Sequence, residues 1–172
     1  MRIFDFTSSL HGPVTVGVIY QARFSVQYKE LITKTYGETD FNPPVSASAL
    51  ADFVERNGPI PDELSRFLHE TDGAPVGDMV TIFSVESRDG HTFQSVIDEW
   101  TDAEYKQLYP NSLDLFFFAD DGMGGFFGYR RNTDEADSFG LICYWDHETD
   151  SIQEMAEPRL DGFIRTCEKL IG

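Results

Sequence analysis

The sequence predicts an α+β fold, in which a central mixed or antiparallel sheet with a C-terminal β-meander is covered by N-terminal and C-terminal helices. Three apolar runs carry this prediction, because they have strand length and are separated only by turn-forming residues. They lie at residues 113–119, 125–129 and 139–145. Before and after them, apolar residues recur mainly at helical spacing instead, which predicts helices on both sides of the meander.

The first of these runs is apolar without interruption from Leu115 to Phe118. A strand with one solvated face alternates apolar and polar residues, so we expect this strand to be covered on both faces. Its phenylalanine rings suit a pleated, buried surface. A short fourth strand is predicted at residues 152–155, across a turn at 146–150.

The chain before the meander is expected to be mainly helical. Residues 14–20 have the composition of a strand, and the helical spacing of Tyr28, Leu31 and Ile32 predicts a helix over residues 25–36. The two consecutive prolines that follow cannot continue that helix, so we expect a connector there.

Two helices and a strand follow the connector. Ser46 is a suitable N-cap for a helix that ends at Asn57. Pro61 fits the first turn of the next helix, which covers residues 61–70. A strand is predicted at residues 79–84.

Helical spacing returns on both sides of the meander. Phe93, Val96 and Trp100 predict one helix, and the capping-box spacing of Thr101 and Glu104 predicts that a second begins there.

The last helix opens at Pro158, with Leu160, Phe163 and Cys167 at helical spacing. We expect this helix and the one at residues 61–70 to cover the sheet.

The composition indicates one domain with an acidic surface. The chain has 172 residues and a net charge of −17, from 13 Lys and Arg against 30 Asp and Glu. Residues 1–45 hold four basic and four acidic residues, so the whole excess of negative charge falls on residues 46–172. Such a domain repels phosphate backbones, which argues against nucleic-acid binding, and it attracts a basic protein partner. The alternative is that the acidic surface serves solubility alone.

Cysteine usage and hydropathy predict a cytoplasmic protein. Cys143 and Cys167 lie inside apolar patterns, and their spacing fits neither a metal site nor a disulfide framework, so we expect buried reduced thiols. No signal peptide is recognisable, and no apolar run approaches the roughly 20 residues of a membrane-spanning helix. We expect no membrane association, no cofactor, no metal and no catalytic residue, because no motif for them is present.

Two acidic turns beside the meander strands are the candidate partner-binding sites, and their charged residues are Asp120, Asp121, Asp146, His147, Glu148 and Asp150. The first turn is predicted to be a glycine-containing hairpin rather than a metal loop, because Gly122 occupies the third ligand position of a calcium loop. In the second turn Ser151 replaces the glycine of a calcium loop and the flanks are strands, which excludes an EF-hand. His147 among carboxylates has no nucleophile placed beside it by the sequence, so we predict a solvated turn.

Four blocks of the chain, in order, resemble the SUKH superfamily, the relatives of the yeast cell-wall assembly regulator Smi/Knr. They are the helix and glycine turn at 60–74, the aromatic strand with glycines at 115–125, the segment at 144–149 and the closing helix at 160–170. The resemblance implies domain limits at residues 46–172, preceded by an N-terminal extension at residues 1–45 with a possible strand and a helix.

The resemblance also implies a non-catalytic protein-binding domain. Many bacterial members are immunity proteins that bind and neutralise a toxin, often a nuclease or deaminase, and the acidic charge suits a basic toxin. Fungal members are interaction hubs, so a regulatory scaffold with an unrelated partner is the alternative. A small-molecule binder or a hydrolase that uses the acidic turns is the third possibility.

Overall fold

A computed structural model describes residues 26–86, 91–132 and 138–167 of the chain. Within these ranges the helices are α1 (Tyr28–Tyr36), α2 (Ala47–Asn57), α3 (Asp62–Glu70), α4 (Phe93–Trp100), α5 (Ala103–Leu108) and α6 (Leu160–Thr166), with a 3₁₀ helix at Pro110–Asp114. The strands are β1 (Ala74–Val76), β2 (Val80–Ile82), β3 (Leu115–Asp120), β4 (Phe126–Arg131), β5 (Phe139–Asp146) and β6 (Ser151–Glu154). The predicted α+β fold is confirmed.

The strands form one sheet in which each strand pairs with the next in the chain, in the order β1-β2-β3-β4-β5-β6. All of these pairs are antiparallel. The sheet therefore continues beyond β3 into the hairpin β1–β2. The sequence predicted the second strand of this hairpin but not the first. β1 has three residues with Pro75 in the middle, and proline is tolerated there because β1 lies at the edge of the sheet that the described residues form.

Helices cover both faces of β3, as its uninterrupted apolar run predicts. On one face, the ring of Phe163 in α6 lies 5.2 Å from the ring of Phe118. On the other face, the ring of Trp100 in α4 meets the ring of Phe117 edge to face at 6.0 Å. The predicted cover by α6 is confirmed, and α4 supplies a cover for the opposite face that the sequence did not assign.

Helix α1 packs into the same core as the rest of the chain, although it precedes the domain limit expected at residue 46. The ring of Tyr28 meets the ring of Phe67 in α3 edge to face at 5.7 Å. The hydroxyl of Tyr36 donates a hydrogen bond to the carbonyl of Ile164 in α6 at 2.6 Å. α1 therefore links the two helices α3 and α6.

Helix boundaries follow their local capping groups. The predicted cap of α2 is confirmed, because the hydroxyl of Ser46 accepts a hydrogen bond from the Ala49 amide at 3.2 Å. The predicted start of α5 at Thr101 is wrong by one residue. The carboxylate of Asp102 caps the helix instead, by accepting a hydrogen bond from the Glu104 amide at 2.8 Å.

The cysteines, the undescribed segments and the helix lengths bear on the remaining predictions. Cys143 and Cys167 are buried and free of disulfides, as expected. The strand predicted at residues 14–20 and the end of the last helix lie outside the described residues. None of the helices in the described ranges has the length and hydropathy needed to cross a bilayer.

Candidate partner-binding surface

Three hairpin turns lie together at one end of the sheet. Because successive strands run antiparallel, the turns at 77–79, 121–125 and 147–150 must all emerge at the same end. A Cβ atom placed on Gly122 would lie 3.4 Å from the carbonyl oxygen of Met79, so the first two turns are in contact. A Cβ atom on Gly124 would lie 2.5 Å from Cε1 of His147, so the imidazole covers the second turn.

We call these three turns, with the flanking Asp120 and Asp146, the acidic end. The sequence predicts the turns at 121–125 and 147–150 as separate sites, and the structure joins them into one surface. The structure also adds the turn at 77–79, which carries Asp78 and Met79 and was not predicted from the sequence. The signal that could have found it is Gly77-Asp78 between two short apolar segments, a typical turn composition.

Asp121 lies inside the acidic end, with an exposed fraction of only 1%. One carboxylate oxygen accepts hydrogen bonds from the amides of Met123 at 2.8 Å and Gly125 at 2.9 Å. The other oxygen accepts a hydrogen bond from the hydroxyl of Tyr144 in β5 at 2.8 Å. The Asp121 carboxylate therefore stabilises its own turn and links that turn to β5.

Glycines permit this turn. Gly122 and Gly124 have φ angles of 69° and 101°, which side-chain-bearing residues rarely adopt. Gly125 faces the hydroxyl of Tyr144 so closely that a Cβ atom would collide with it. Burial, reinforced by the hydrogen bond to Asp121, raises the pKa of Tyr144, so its hydroxyl stays protonated and donates at neutral pH.

Asp120 is partly buried at the end of β3. Its carboxylate accepts a hydrogen bond from the Gly122 amide at 2.9 Å and lies 3.5 Å from Nδ1 of His91. Its side chain is 15% exposed, and this desolvation raises the pKa of Asp120 despite those two favourable contacts.

The third turn is held by its own carboxylates. Asp146 accepts hydrogen bonds from the Thr149 hydroxyl at 2.7 Å and the Glu148 amide at 2.9 Å, and these contacts lower the pKa of Asp146. Its charge is therefore retained at any physiological pH. Glu148 projects from the tip of the turn and is exposed.

Asp150 fixes this turn to the face of the sheet that α4 covers. One of its oxygens accepts a hydrogen bond from Nε1 of the buried Trp145 at 2.9 Å. The other accepts one from the Asn111 side-chain amide at 3.1 Å. The residue has a φ angle of 48°, a backbone conformation that aspartate tolerates better than most residues. Asp150 contributes negative charge at the rim, but its contacts are internal.

A cleft of about 540 Å³ borders the first turn. Its lining includes the carboxylate residues Glu38 and Asp40 from the segment between α1 and α2, together with Asp78. Glu38 and Asp40 are exposed. Segments 40 residues apart in sequence therefore extend the negative surface beyond the three turns, which no local pattern could predict.

A second cleft, of about 460 Å³, is lined by a mixed set of charges. Glu63 is one of the residues that line it and accepts hydrogen bonds from the Tyr129 hydroxyl at 2.9 Å and the Leu160 amide at 3.0 Å. Arg66 and Arg159 also line this cleft. Asp120, Asp121 and Asp146 line neither of the two clefts.

In a comparison with protein-family models, residues 44–159 match the model described as the SMI1 / KNR4 family (SUKH-1). This range is more than half of the 172 residues and contains all three turns of the acidic end. No curated protein matches the chain.

Proposed function

The chain belongs to the SMI1 / KNR4 family (SUKH-1), and from this premise we propose that it is a non-catalytic protein-binding domain of the immunity type. Its partner is a basic toxin domain, of the nuclease or deaminase class, which the chain binds at its acidic end and neutralises. Family membership supports a protein-binding role of the kind that the sequence resemblance implies.

The observation that carries the proposal is the collection of carboxylates on one end of the sheet. Asp78, Asp120, Asp146, Glu148 and Asp150 come from three turns that are distant in sequence. Charges of one sign gathered on one surface create a local potential that steers a partner of opposite charge. A domain that cleaves or deaminates nucleic acid needs a positive substrate groove, which is the surface that such a potential selects.

The internal hydrogen bonds of the turns favour binding. Asp121 holds one turn and Asp146 holds another, so the backbone that presents the charges is ordered before the partner arrives. Preorganisation lowers the entropy that association would otherwise cost. We expect an interface on the order of 1,600 Å² in total.

The test is co-expression of the chain with the product of the adjoining reading frame, followed by co-purification at low salt. We expect a stoichiometric complex with a basic protein, and rescue of growth when that protein is toxic. Absence of a complex at low salt contradicts the proposal. Recovery of housekeeping proteins in place of a toxin would favour a regulatory scaffold instead.

A further inference from the structure

We propose that Met79 and Met123 form the apolar centre of this interface. They receive an apolar side chain that the partner presents between arginine or lysine residues. This inference rests on the proposed function and specifies the chemistry of the partner's contact segment.

The two methionines are exposed on turns that contact each other. Met79 is 40% exposed on the first turn and Met123 is 58% exposed on the second. The carbonyl of Met79 borders Gly122, the residue before Met123. A methionine at a turn tip contributes little burial to its own fold, whereas methionine is enriched in protein interfaces and its flexible thioether adapts to varied partner shapes.

Negative charge lies on both sides of the methionines. On one side is the 540 Å³ cleft, whose lining includes Glu38, Asp40 and Asp78. On the other side is the third turn, where His147 covers Gly124 and Glu148 is exposed. An apolar centre inside a charged rim is the usual arrangement of a protein interface. The complementary occupant has an apolar side chain flanked on both sides by cations.

The two parts of the surface are expected to act on different rate constants. Rim charges chiefly change the association rate, because they act over a distance before contact. A central apolar contact forms after docking and chiefly slows dissociation. Substitution of the methionines should therefore change dissociation and leave the salt dependence of association unchanged.

Methyl NMR tests the contact directly, because the chain has four methionines. The probes are two synthetic peptides, Arg-Lys-Leu-Arg-Lys and its counterpart with serine in place of leucine. We expect the leucine peptide to bind roughly tenfold more tightly, as burial of one leucine side chain implies, and to shift the Met79 and Met123 methyl signals. Met155, which is 8% exposed, is the internal control and should not shift. Equal affinities, or shifts at neither methionine, would overturn the inference.

The double variant M79S/M123S extends the test to the complex with the toxin. We expect its dissociation to be at least about tenfold faster than that of the wild-type chain. The matched control is L141S, because Leu141 is 43% exposed on β5 and lies away from the turns. Unchanged dissociation of the double variant overturns this inference and leaves the proposed function in place. Failure of the wild-type chain to form any complex overturns the proposed function itself.

Discussion

At the scale of single residues, the carboxylates of the acidic end divide into those that hold the turns and those that face outward. Asp121 is buried and saturated with hydrogen bonds, whereas Glu148 is exposed. The sequence predicts a turn at both places but does not separate these roles. The difference depends on Tyr144, which is 23 residues from Asp121 and reaches it only through strand pairing.

Asp121→Ala is expected to lower the free energy of unfolding by about 2–4 kcal/mol, because it removes the acceptor of three hydrogen bonds and leaves buried donors unpaired. Urea denaturation measures this. The control is Glu148→Ala, which should change the free energy of unfolding by less than about 0.5 kcal/mol. Similar values for the two variants would mean that Asp121 does not hold the turn.

Asp120→Asn is expected to stabilise the chain at neutral pH. Burial raises the pKa of Asp120, so its ionised form costs stability, and that cost appears as pH rises through the raised pKa. The asparagine oxygen can still accept the hydrogen bond from Gly122. The advantage of the variant should therefore shrink as the pH falls towards the ordinary range of aspartate. Urea denaturation of both proteins between about pH 7 and pH 4 checks this. A wild-type chain that is the more stable at neutral pH would show that the His91 contact outweighs burial.

At the scale of elements, most helices and strands could be predicted, because their apolar spacing is regular. β1 was missed because three residues are too few to show a period. The cap of α5 was assigned one residue too early because Thr101 and Asp102 are both good capping residues. The contact between the turns follows from strand pairing rather than from any local pattern. To predict this contact, the number of strands in the sheet must be known, and that number could not be counted correctly while β1 was missing.

The packing of α1 gives an element-scale prediction. Ile32 in α1 is completely buried, so Ile32→Ala should lower the free energy of unfolding by about 2–4 kcal/mol. The neighbouring Thr33 is exposed, and Thr33→Ala should have little effect. Chemical denaturation of both variants checks this. A negligible effect of the isoleucine substitution would contradict a shared core and would favour α1 as a separate extension.

At the scale of the whole molecule, the net charge of −17 could be computed from the sequence, but its placement could not. Residues 1–45 are neutral overall, yet Glu38 and Asp40 from this segment join the cleft beside the first turn. The electrostatic surface is therefore a product of the fold, which brings neutral and acidic parts of the chain together.

Steering by this surface predicts a salt-dependent association rate. Raising the salt from about 0.05 M to about 0.5 M shortens the screening length, so association with the basic partner should slow by roughly tenfold or more. Stopped-flow mixing measures the rate. A rate that does not change with salt would contradict electrostatic steering and would leave the family assignment unaffected.

The most direct measurement compares two charge reversals that differ only in location. D40K/E148K reverses exposed charges beside the cleft and on the third turn, and D52K/E55K reverses exposed charges on α2. Both variants change the net charge of −17 by the same amount. Calorimetric titration with the basic partner should show at least about a hundredfold weaker binding for D40K/E148K and less than about a threefold change for D52K/E55K. Equal losses would mean that net charge alone attracts the partner, and undiminished binding of D40K/E148K would contradict binding at the acidic end.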